Sequence, residues 1–300
     1  MKKILITGIF GQDGTILASI LNKNYKIYGT YRTNTKKRKK NFKNVKYIKI
    51  NLFNKYEVFE KLEKLNLDCV VHLGSSNPNY KELKKRDFYK KNLLATQNLI
   101  SFIKEKNIKF IFPGTSQMYK PSIKKINERT ILKTSNSYSK FRVKAHKYLM
   151  KIKKKNNLNA TSVILFNHDS KYRSNKFLLP RIITAIKNKN IKFIRYIFNQ
   201  NIVGDFSHAQ DICNAIYLLI KLKKNPDIVF LSSNKKTKIN DLIKYIIKKK
   251  KIKINLSNFQ QKKQRKKLLI GNNSLAKKML HWIPNKTAFD AIEDIYDYTE

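Results

Sequence analysis

The chain has few residues of the kinds that build metal sites, disulfide frameworks or membrane spans. Among 300 residues there are 2 cysteines and 5 histidines, and neither set has the spacing of a metal site. We therefore expect no metal, and buried reduced thiols at Cys69 and Cys213. No apolar run approaches the length of a membrane span, and the start of the chain, Met1-Lys2-Lys3, lacks the apolar length of a signal peptide. These absences predict a cytoplasmic globular protein.

Acidic residues are also scarce. There are 19 Asp and Glu against 66 Lys and Arg, which gives a formal net charge of +47. Such a charge raises the question of nucleic-acid binding, but the lysines run from end to end, often on the polar faces of helical patterns, and no nucleic-acid module accompanies them. We interpret them as solvated faces and expect no specific nucleic-acid partner. The 41% apolar content is enough for a core.

The first thirty residues show a strand, a glycine turn and a helix. The apolar run Ile4-Leu5-Ile6 leads to Gly8, Gly11 and Gly14, and an amphipathic pattern starts near Gln12. Glycines at this spacing allow a tight turn, close approach to a pyrophosphate, and packing of the helix on the strand. The pattern predicts a dinucleotide site.

The end of the second strand, Tyr25–Tyr31, lacks the carboxylate that commonly binds the ribose of NAD. Arg32 stands there instead, followed by Lys36, Lys37 and Arg38. Cations at this point suit a 2′-phosphate, so NADP is favoured over NAD.

Strand-like runs alternate with helical patterns through the first half of the chain. This rhythm predicts repeated βαβ units, and therefore an α/β fold with a doubly wound parallel sheet. The segments are Val45–Ile50, Lys55–Leu65, Cys69–Leu73, Leu83–Lys106, Lys109–Pro113, Ser137–Lys155 and Thr161–Phe166.

After Phe166 the rhythm breaks, which predicts a smaller C-terminal α/β lobe. We expect a dinucleotide domain over 1–166 and a mainly substrate-binding lobe over 167–300, with 205–232 returning to the first domain. The tail from Gly271 should form a closing loop and helix. The other expected elements are helices near Leu179–Lys189, Ala209–Leu222 and Asn240–Lys249, and strands near Ile191–Ile194 and Asp227–Leu231.

Two later segments carry candidate chemistry. Thr115 and Ser116 follow the strand that ends near Pro113, and Tyr138 opens a helix with Arg142 one turn beyond it. A hydroxyl and a tyrosine at these places can converge on one sugar oxygen. The cation shares the tyrosine's helix face and favours the tyrosinate form, which prepares it for proton transfer with hydride transfer to or from nicotinamide.

With these motifs the chain resembles the extended short-chain dehydrogenases/reductases, and within them it is most similar to the GDP-mannose 4,6-dehydratase family. The resemblance spans positions 7 to 211. Its residues are Thr7-Gly8-Ile9-Phe10-Gly11-Gln12-Asp13-Gly14, Leu73-Gly74-Ser75, Thr115-Ser116 with Tyr119, Ser137-Tyr138, Leu165-Phe166-Asn167-His168-Asp169-Ser170, and Gly204-Asp205-Phe206-Ser207-His208-Ala209-Gln210-Asp211.

The resemblance implies an NADP enzyme that oxidises a nucleotide sugar at C4, eliminates water across C5 and C6, and returns the hydride to C6. It implies that Thr115 hydrogen-bonds the C4 oxygen and Tyr138 is the acid/base there. Asn167, near the substrate diphosphate, Ser116 and Arg181 would bind substrate, and a homo-oligomer is expected. The cofactor-binding positions would be Gly8, Gly11, Gln12, Asp13, Gly14, Arg32, Asn51, Leu52, Leu73, Gly74, Ser75, Tyr138, Arg142, His168 and Arg173.

Some positions depart from the family. Gln117 stands where the family has the glutamate that removes the C5 proton and protonates the departing hydroxyl, and an amide can do neither. Arg142 replaces the usual lysine, and Asn51 an expected aspartate. Three hypotheses follow: a dehydratase of GDP-mannose or a relative, a 4-keto-sugar nucleotide reductase or 4-epimerase, and a non-catalytic nucleotide-binding homologue.

Overall fold

The computed structural model describes residues 1–32, 42–75, 86–134, 136–263 and 266–299. Its strands are β1 (Lys3–Thr7), β2 (Lys26–Tyr31), β3 (Val45–Lys49), β4 (Cys69–His72), β5 (Lys109–Thr115), β6 (Ala160–Leu165), β7 (Asn167–Asp169), β8 (Val203–Gly204), β9 (Phe206–His208), β10 (Ile228–Leu231) and β11 (Thr237–Lys238). Its helices are α1 (Gln12–Leu21), α2 (Lys55–Glu63), α3 (Arg86–Glu105), α4 (Ser137–Asn156), α5 (Leu178–Lys187), α6 (Ile191–Asn199), α7 (Ala209–Lys221), α8 (Ile239–Lys249), α9 (Ser274–Leu280) and α10 (Ala288–Tyr298).

Seven strands form one parallel sheet in the order β10-β6-β5-β4-β1-β2-β3. The chain builds outward from β1 to β3 and then crosses to β4 on the other side of β1. The crevice between β1 and β4 is therefore the switch point of the sheet, where ligands of such folds bind. The predicted doubly wound α/β class is confirmed.

The central strands are buried on both faces, as their apolar runs predict. In β1, Ile4 and Ile6 pack in the cluster that contains α1 and α7, whereas Leu5 packs in the opposite cluster with α3 and α4. Successive side chains of a strand point to opposite faces, so one apolar run supplies both cores. The sheet is thereby covered by a helix layer on each side.

Four C-terminal helices, α5, α6, α8 and α10, share a separate apolar cluster. The prediction of a strand at Ile191–Ile194 is wrong, because these residues begin α6. Ile194, Ile197 and Phe198 are buried at helical spacing, and the Asn190 side chain accepts a hydrogen bond from the Phe193 amide at the start of the helix. Burial of that face outweighs the strand preference of isoleucine and phenylalanine.

The tail contains two helices, α9 and α10, where one was expected. Near them β10 joins the main sheet beside β6, and α7 packs against α1. The division of the chain at residue 166 stays a prediction. Cys69 and Cys213 are both free and buried, as predicted. Within the described ranges, no helix is both long enough and apolar enough to cross a bilayer.

A matched pair of substitutions on α3 tests the packing of this helix layer. Leu99 is fully buried, whereas the side chain of Leu94 is 44% exposed. Leu99→Ala should lower the free energy of unfolding by about 3 kcal/mol through lost burial and a cavity. Leu94→Ala should change it by less than about 1 kcal/mol. Urea denaturation of both variants provides the measurement, and equal losses would contradict the orientation of α3.

Candidate active site

The turn after β1 lies in contact with the turn after β4. Gly8 has a φ of +69°, and a Cβ atom there would lie 2.7 Å from the Cα atom of Gly74. A Cβ atom on Gly14 would lie 2.5 Å from the Gly8 carbonyl oxygen. Gly11 precedes α1 and offers no side chain to its first amides. The turn is therefore shaped for backbone contact with an anion at the helix start.

A hydrogen-bonded chain holds the two turns together. The Gly74 amide donates to Thr7 Oγ1 at 2.8 Å, and Thr7 Oγ1 lies 2.8 Å from His72 Nδ1. His72 Nε2 lies 3.1 Å from Thr96 Oγ1, which itself donates to the Asn92 carbonyl. His72 therefore donates from Nε2 and accepts at Nδ1. Burial, with repulsion from Arg142, lowers the pKa of His72 to about 3, so the ring is neutral.

Three adjoining cavities open along the carboxyl ends of the strands. The first, of about 250 Å³, shares Gly8, Gly11, Leu73 and Ser75 with the second, of about 190 Å³. The second shares Asp13, Leu73, Arg173 and Phe177 with the third, of about 400 Å³. The shared lining residues place these three cavities side by side along this edge of the sheet.

The first cavity contains several predicted cofactor residues. Arg32 and Leu52 line it with the glycine turn, Gly74 and Ser75, and no carboxylate is among its described lining residues. The Arg32 guanidinium lies 5.4 Å from the centre of the Phe53 ring. Asn51 is not among the lining residues, and its side chain accepts a hydrogen bond from the Phe53 amide.

Three of the four cations predicted to favour NADP cannot be placed in the cavity. Lys36, Lys37 and Arg38 lie outside the described residues. Of the cations proposed for a 2′-phosphate, Arg32 is the described one.

Asp13, which lines the second cavity, forms an ion pair with His168 of β7. His168 Nδ1 donates to the Phe166 carbonyl at 2.7 Å, and His168 Nε2 donates to Asp13 Oδ2 at 3.1 Å. Because both ring nitrogens donate, the ring is an imidazolium. Burial opposes that charge, but attraction to Asp13 and the hydrogen bond to its carboxylate raise the pKa of His168. Burial likewise opposes the Asp13 charge, but His168 and further hydrogen bonds hold its pKa below the ordinary value.

Two further contacts strengthen this link. Ser170 Oγ donates to Gln12 Oε1 at 3.1 Å, and Gln12 Nε2 donates to the His168 carbonyl at 3.2 Å. Arg173 forms a 2.8 Å ion pair with Asp169. The predicted cofactor residues Gln12, Asp13, His168 and Arg173 thus lie together.

The third cavity brings the predicted catalytic residues together. Thr115, at the end of β5, lines it with Tyr138 and Arg142 of α4. Arg142 is buried, its Nη1 atom donates to the Pro113 carbonyl at 2.6 Å, and its guanidinium lies 5.4 Å from the Tyr138 ring centre. The hydroxyl, the phenol and the cation therefore share one surface, as the order of the motifs predicts.

Gln117 also lines this cavity and is positioned by the start of α4. Gln117 Oε1 accepts a hydrogen bond from Asn136 Nδ2 at 3.1 Å. Asn136 caps α4 through a capping box with Ser139. The only carboxylate among the described lining residues is Asp13, which is paired with His168. We find no carboxylate here at the place of the dehydratase glutamate.

The predicted substrate residues divide into two groups. Ser116 and Asn167 line the third cavity, and Asn167 Nδ2 donates to the Asp205 carbonyl at 3.1 Å. Arg181 is absent from the described lining of that cavity. It lies in a separate cavity of about 260 Å³, with its guanidinium 4.8 Å from the Phe193 ring centre. Because α5 turns Arg181 away from its buried face, this side chain lies on the outer surface of the helix.

Asp205 follows Gly204, which lines the third cavity, and it joins two later segments of the chain. Its Oδ1 atom accepts from the Ser233 amide at 2.8 Å, and its Oδ2 atom accepts from the Gly271 amide at 3.1 Å. Burial raises the pKa of Asp205 to about 6, although these hydrogen bonds favour the charged form. The segment before Gly271 contributes Lys267, Leu268 and Leu269 to the cavity wall.

The sequence analysis missed two features of this cavity. Asn136 was not expected to orient Gln117, although an asparagine three residues before Ser139 at a helix start is a capping signal. Lys267 was assigned only to the general lysine excess, and no local pattern connects it to residues about 150 positions earlier.

Comparisons with known proteins identify the family of this chain. A family model described as GDP-mannose 4,6 dehydratase matches residues 5–295. The chain is 23% identical over 278 residues to the GDP-mannose 4,6-dehydratase of Yersinia enterocolitica, covering 86% of this chain and 74% of that protein. It is 25% identical over 259 residues to GDP-mannose 4,6 dehydratase 1 of Arabidopsis thaliana, covering 79% and 72%.

Solved structures share the whole fold. The dTDP-glucose 4,6-dehydratase of Bacillus anthracis, in complex with NAD, aligns with a TM-score of 0.84 at 17% identity, covering 99% of this chain and 96% of that chain. The UDP-Glc/GlcNAc 4-epimerase of Campylobacter jejuni aligns with a TM-score of 0.84 at 18% identity, covering 99% of both chains. The resemblance drawn from the motifs is confirmed.

The ion pair between Asp13 and His168 predicts a pH-dependent stability. His168→Gln should lower the free energy of unfolding by about 3 kcal/mol near pH 6, because it leaves a buried carboxylate without its charged partner. Since the pKa of His168 is raised above 6.5, its contribution is complete below that value and is lost as the pH rises through the folded-state pKa. The difference in Tm from wild type should shrink as the pH rises above 6.5 and passes through the folded-state pKa.

Thermal unfolding across this pH range provides the measurement. His281→Asn is the control, because His281 is exposed and has a left-handed φ of 50° that asparagine accepts. A pH-independent loss in the His168 variant would contradict the charged pair.

Proposed function

Because the chain belongs to the GDP-mannose 4,6-dehydratase family, we propose that it binds NADP and a nucleotide sugar and catalyses hydride transfer at C4 of the sugar. The observation that carries this proposal is the convergence of Thr115, Tyr138 and Arg142 in one cavity that shares lining residues with the glycine-lined cleft. A non-catalytic binding protein has no need of that convergence.

The cleft supports a dinucleotide on steric and electrostatic grounds. At Gly8 and Gly14 a side chain would collide with backbone, so the turn keeps room for a pyrophosphate. Arg32, at the end of β2, favours the 2′-phosphate of NADP, and the described lining there has no carboxylate to bind a ribose hydroxyl. When bound, the nicotinamide supplies a reversible hydride acceptor for C4.

Side chains of the protein exchange the proton of the C4 oxygen and hydrogen-bond that oxygen. In our proposal Tyr138 takes and returns the proton of that oxygen, and Thr115 hydrogen-bonds it. Arg142 places a positive charge beside Tyr138, with the guanidinium 5.4 Å from the centre of the Tyr138 ring. These steps require no group beyond those lining the cavity.

Dehydration requires a further acid/base group in addition to Tyr138. An acid/base must act at C5 and C6, and Gln117 cannot exchange a proton there. The Asp13 carboxylate is held by His168. The geometry therefore favours reactions with proton exchange only at the C4 oxygen, which are 4-keto-sugar reduction and 4-epimerisation. Dehydration of GDP-mannose is the second candidate, favoured by the family match over residues 5–295.

A cytoplasmic location and a homo-oligomer, both expected from the sequence, stay part of this proposal. The location rests on the sequence pattern alone, and the homo-oligomer rests on the family likeness and not on a contact described in the structure.

Mass spectrometry of the sugar nucleotide tests the reaction. With NADP and GDP-mannose, the wild type should leave GDP-mannose without loss of water, because Gln117 has no acid/base function. Gln117→Glu should introduce the water-loss product. Separately, NADPH should be oxidised in the presence of a 4-keto nucleotide sugar if the reaction is a reduction. Water loss by the wild type would establish dehydration instead.

Tyr138→Phe tests the shared C4 step in either case. Removing the phenol should lower kcat by about 1,000-fold, because a positioned acid/base contributes on that order. The matched control is Tyr148→Phe on the same helix, which lies outside the described cavity lining and should retain activity. NADPH binding should be unchanged in the Tyr148 variant. Equal activity of the two variants would contradict the role of Tyr138.

A further inference from the structure

The orientation of the Gln117 side-chain amide is set by the backbone at the start of α4. The Ser139 backbone amide donates a hydrogen bond to Asn136 Oδ1 at 2.8 Å. Because the oxygen of Asn136 is held there, its nitrogen is turned to Gln117, and Asn136 Nδ2 donates to Gln117 Oε1 at 3.1 Å. A backbone N–H group, which can only donate, thus determines which end of the Gln117 amide faces Asn136.

The NH2 group of Gln117 is the end that remains for a ligand. Gln117 is exposed and lines the third cavity, which is the reaction cavity of the proposed function. Among the described residues, no protein atom accepts a hydrogen bond from Gln117 Nε2. With its oxygen engaged by Asn136, the side chain therefore presents a hydrogen-bond donor to the cavity.

Thr115 also presents a hydrogen atom to this cavity. The Gln117 backbone amide donates to Thr115 Oγ1 at 3.4 Å, which leaves the hydroxyl hydrogen of Thr115 for a ligand. Thr115 ends β5, and Gln117 lies in the short helical turn Ser116–Met118 that follows it. Two hydrogen-bond donors therefore follow one another along the cavity lining that includes Tyr138.

Positive charge exceeds negative charge in the lining of the reaction cavity. Asp13 is the one carboxylate among the described lining residues, and it is paired with His168. No acidic side chain in the described part of the chain forms an ion pair with Lys267. A negatively charged acceptor suits such a lining better than a neutral hydroxyl, because hydrogen bonds to ionised acceptors are stronger. The cationic lining residues are Arg142, His168, Arg173 and Lys267.

The C6 group of the sugar is the substituent that can supply a charged acceptor close to the reacting carbon. In the proposed function Thr115 and Tyr138 act on the C4 oxygen, and Gln117 follows Thr115 in the same cavity lining. The ring carbons next to C4 are C3 and C5, and C6 is attached to C5. Of the groups on these carbons, C6 is the one that forms a carboxylate without opening the ring.

We propose that Gln117 is a specificity-determining residue whose NH2 group donates to a carboxylate at C6, so that the substrate is a nucleotide-linked uronic acid. Asn136 is a positioning residue, because it acts on the substrate only by orienting Gln117. The inference rests on the proposed function, since it names the class of sugar on which the C4 chemistry acts.

Calorimetric titration with matched nucleotide sugars tests this preference. The probes are GDP-mannose against GDP-mannuronate and UDP-glucose against UDP-glucuronate, and the members of each pair differ only at C6. Saturating NADPH is present, because the reduced cofactor accepts no hydride and the C4 hydroxyl stays unreacted. The wild type should bind the uronate about 10-fold more tightly than the neutral sugar of the pair whose nucleotide it accepts.

Gln117→Met should abolish the preference, because methionine has a similar length but no hydrogen-bond donor. The Kd of the uronate should rise by about 30-fold and that of the neutral sugar by about 3-fold, since the charged acceptor loses the stronger hydrogen bond. The matched control is Gln261→Met, because Gln261 is exposed and lies outside the described cavity linings. This control should bind all four probes as the wild type does.

Asn136→Asp should reverse the orientation of the Gln117 amide while it keeps the start of α4. Aspartate caps a helix as well as asparagine does. Its carboxylate only accepts hydrogen bonds, so Gln117 should turn its NH2 group to this side chain and its oxygen to the cavity. The Kd of the uronate should rise by at least about 30-fold with an unchanged Tm, a C6-dependent loss that a purely structural role of Asn136 does not produce.

The same change in the Gln117→Met background separates orientation from charge. There Asn136→Asp should weaken the uronate much less, because only the added negative charge remains to act. Equal effects of Asn136→Asp in the two backgrounds would contradict the positioning role of Asn136.

The remaining outcomes separate this inference from the proposed function. If the wild type binds both members of a pair equally, the role of Gln117 is wrong and the proposed function stands. A preference that survives in Gln117→Met would likewise overturn that role, because another group would then select the carboxylate. If the wild type binds NADPH but none of the four nucleotide sugars, the nucleotide-sugar substrate fails and this inference fails with it.

Discussion

The contact between the backbone turns at Gly8 and Gly74 is the constraint on which the cleft depends. A Cβ atom on Gly8 would meet the Cα of Gly74 at 2.7 Å, and a Cβ atom on Gly74 would meet Thr7 Oγ1 at 2.8 Å. A side chain at either place would separate β1 from β4 at the switch point of the sheet, where the glycine-lined cleft opens. The buried, neutral His72 completes the hydrogen bonds that keep the turns together. Because its pKa is about 3, this arrangement persists throughout the neutral range.

The pair of Asp13 and His168 extends that constraint into the reaction cavity. Asp13 follows the glycine turn, and His168 lies in β7 beyond the last strand of the dinucleotide motif. Both residues line the reaction cavity, and Asp13 also lines the glycine-rich part of the cleft. A displacement of the glycine turn would therefore displace the wall that faces Tyr138. The same pairing also occupies Asp13, the one carboxylate of the described lining of the third cavity.

The lysine charges differ in whether salt screens them or acidic side chains pair with them. Most lysines lie in water, where salt screens their repulsion over about 10 Å. Acidic residues gather in α10, where Asp297 and Glu293 pair with Lys250, the residue after α8. Lys267 lines the third cavity, and among the described residues no acidic side chain forms an ion pair with it.

Local patterns in the sequence determined the parallel α/β fold, the glycine turn, and the placement of Thr115 and Tyr138 at neighbouring strand and helix ends. These features are predictable because they depend on periodicity and on short-range backbone geometry. The tertiary structure alone decided that Ile191–Ile194 is helical, because the buried face shared with α5 and α8 overrides the strand preference of those residues. It also decided that Asp13 meets His168. These residues are separated by about 150 positions, and only the packing of distant elements, which no local pattern encodes, brings their charges together.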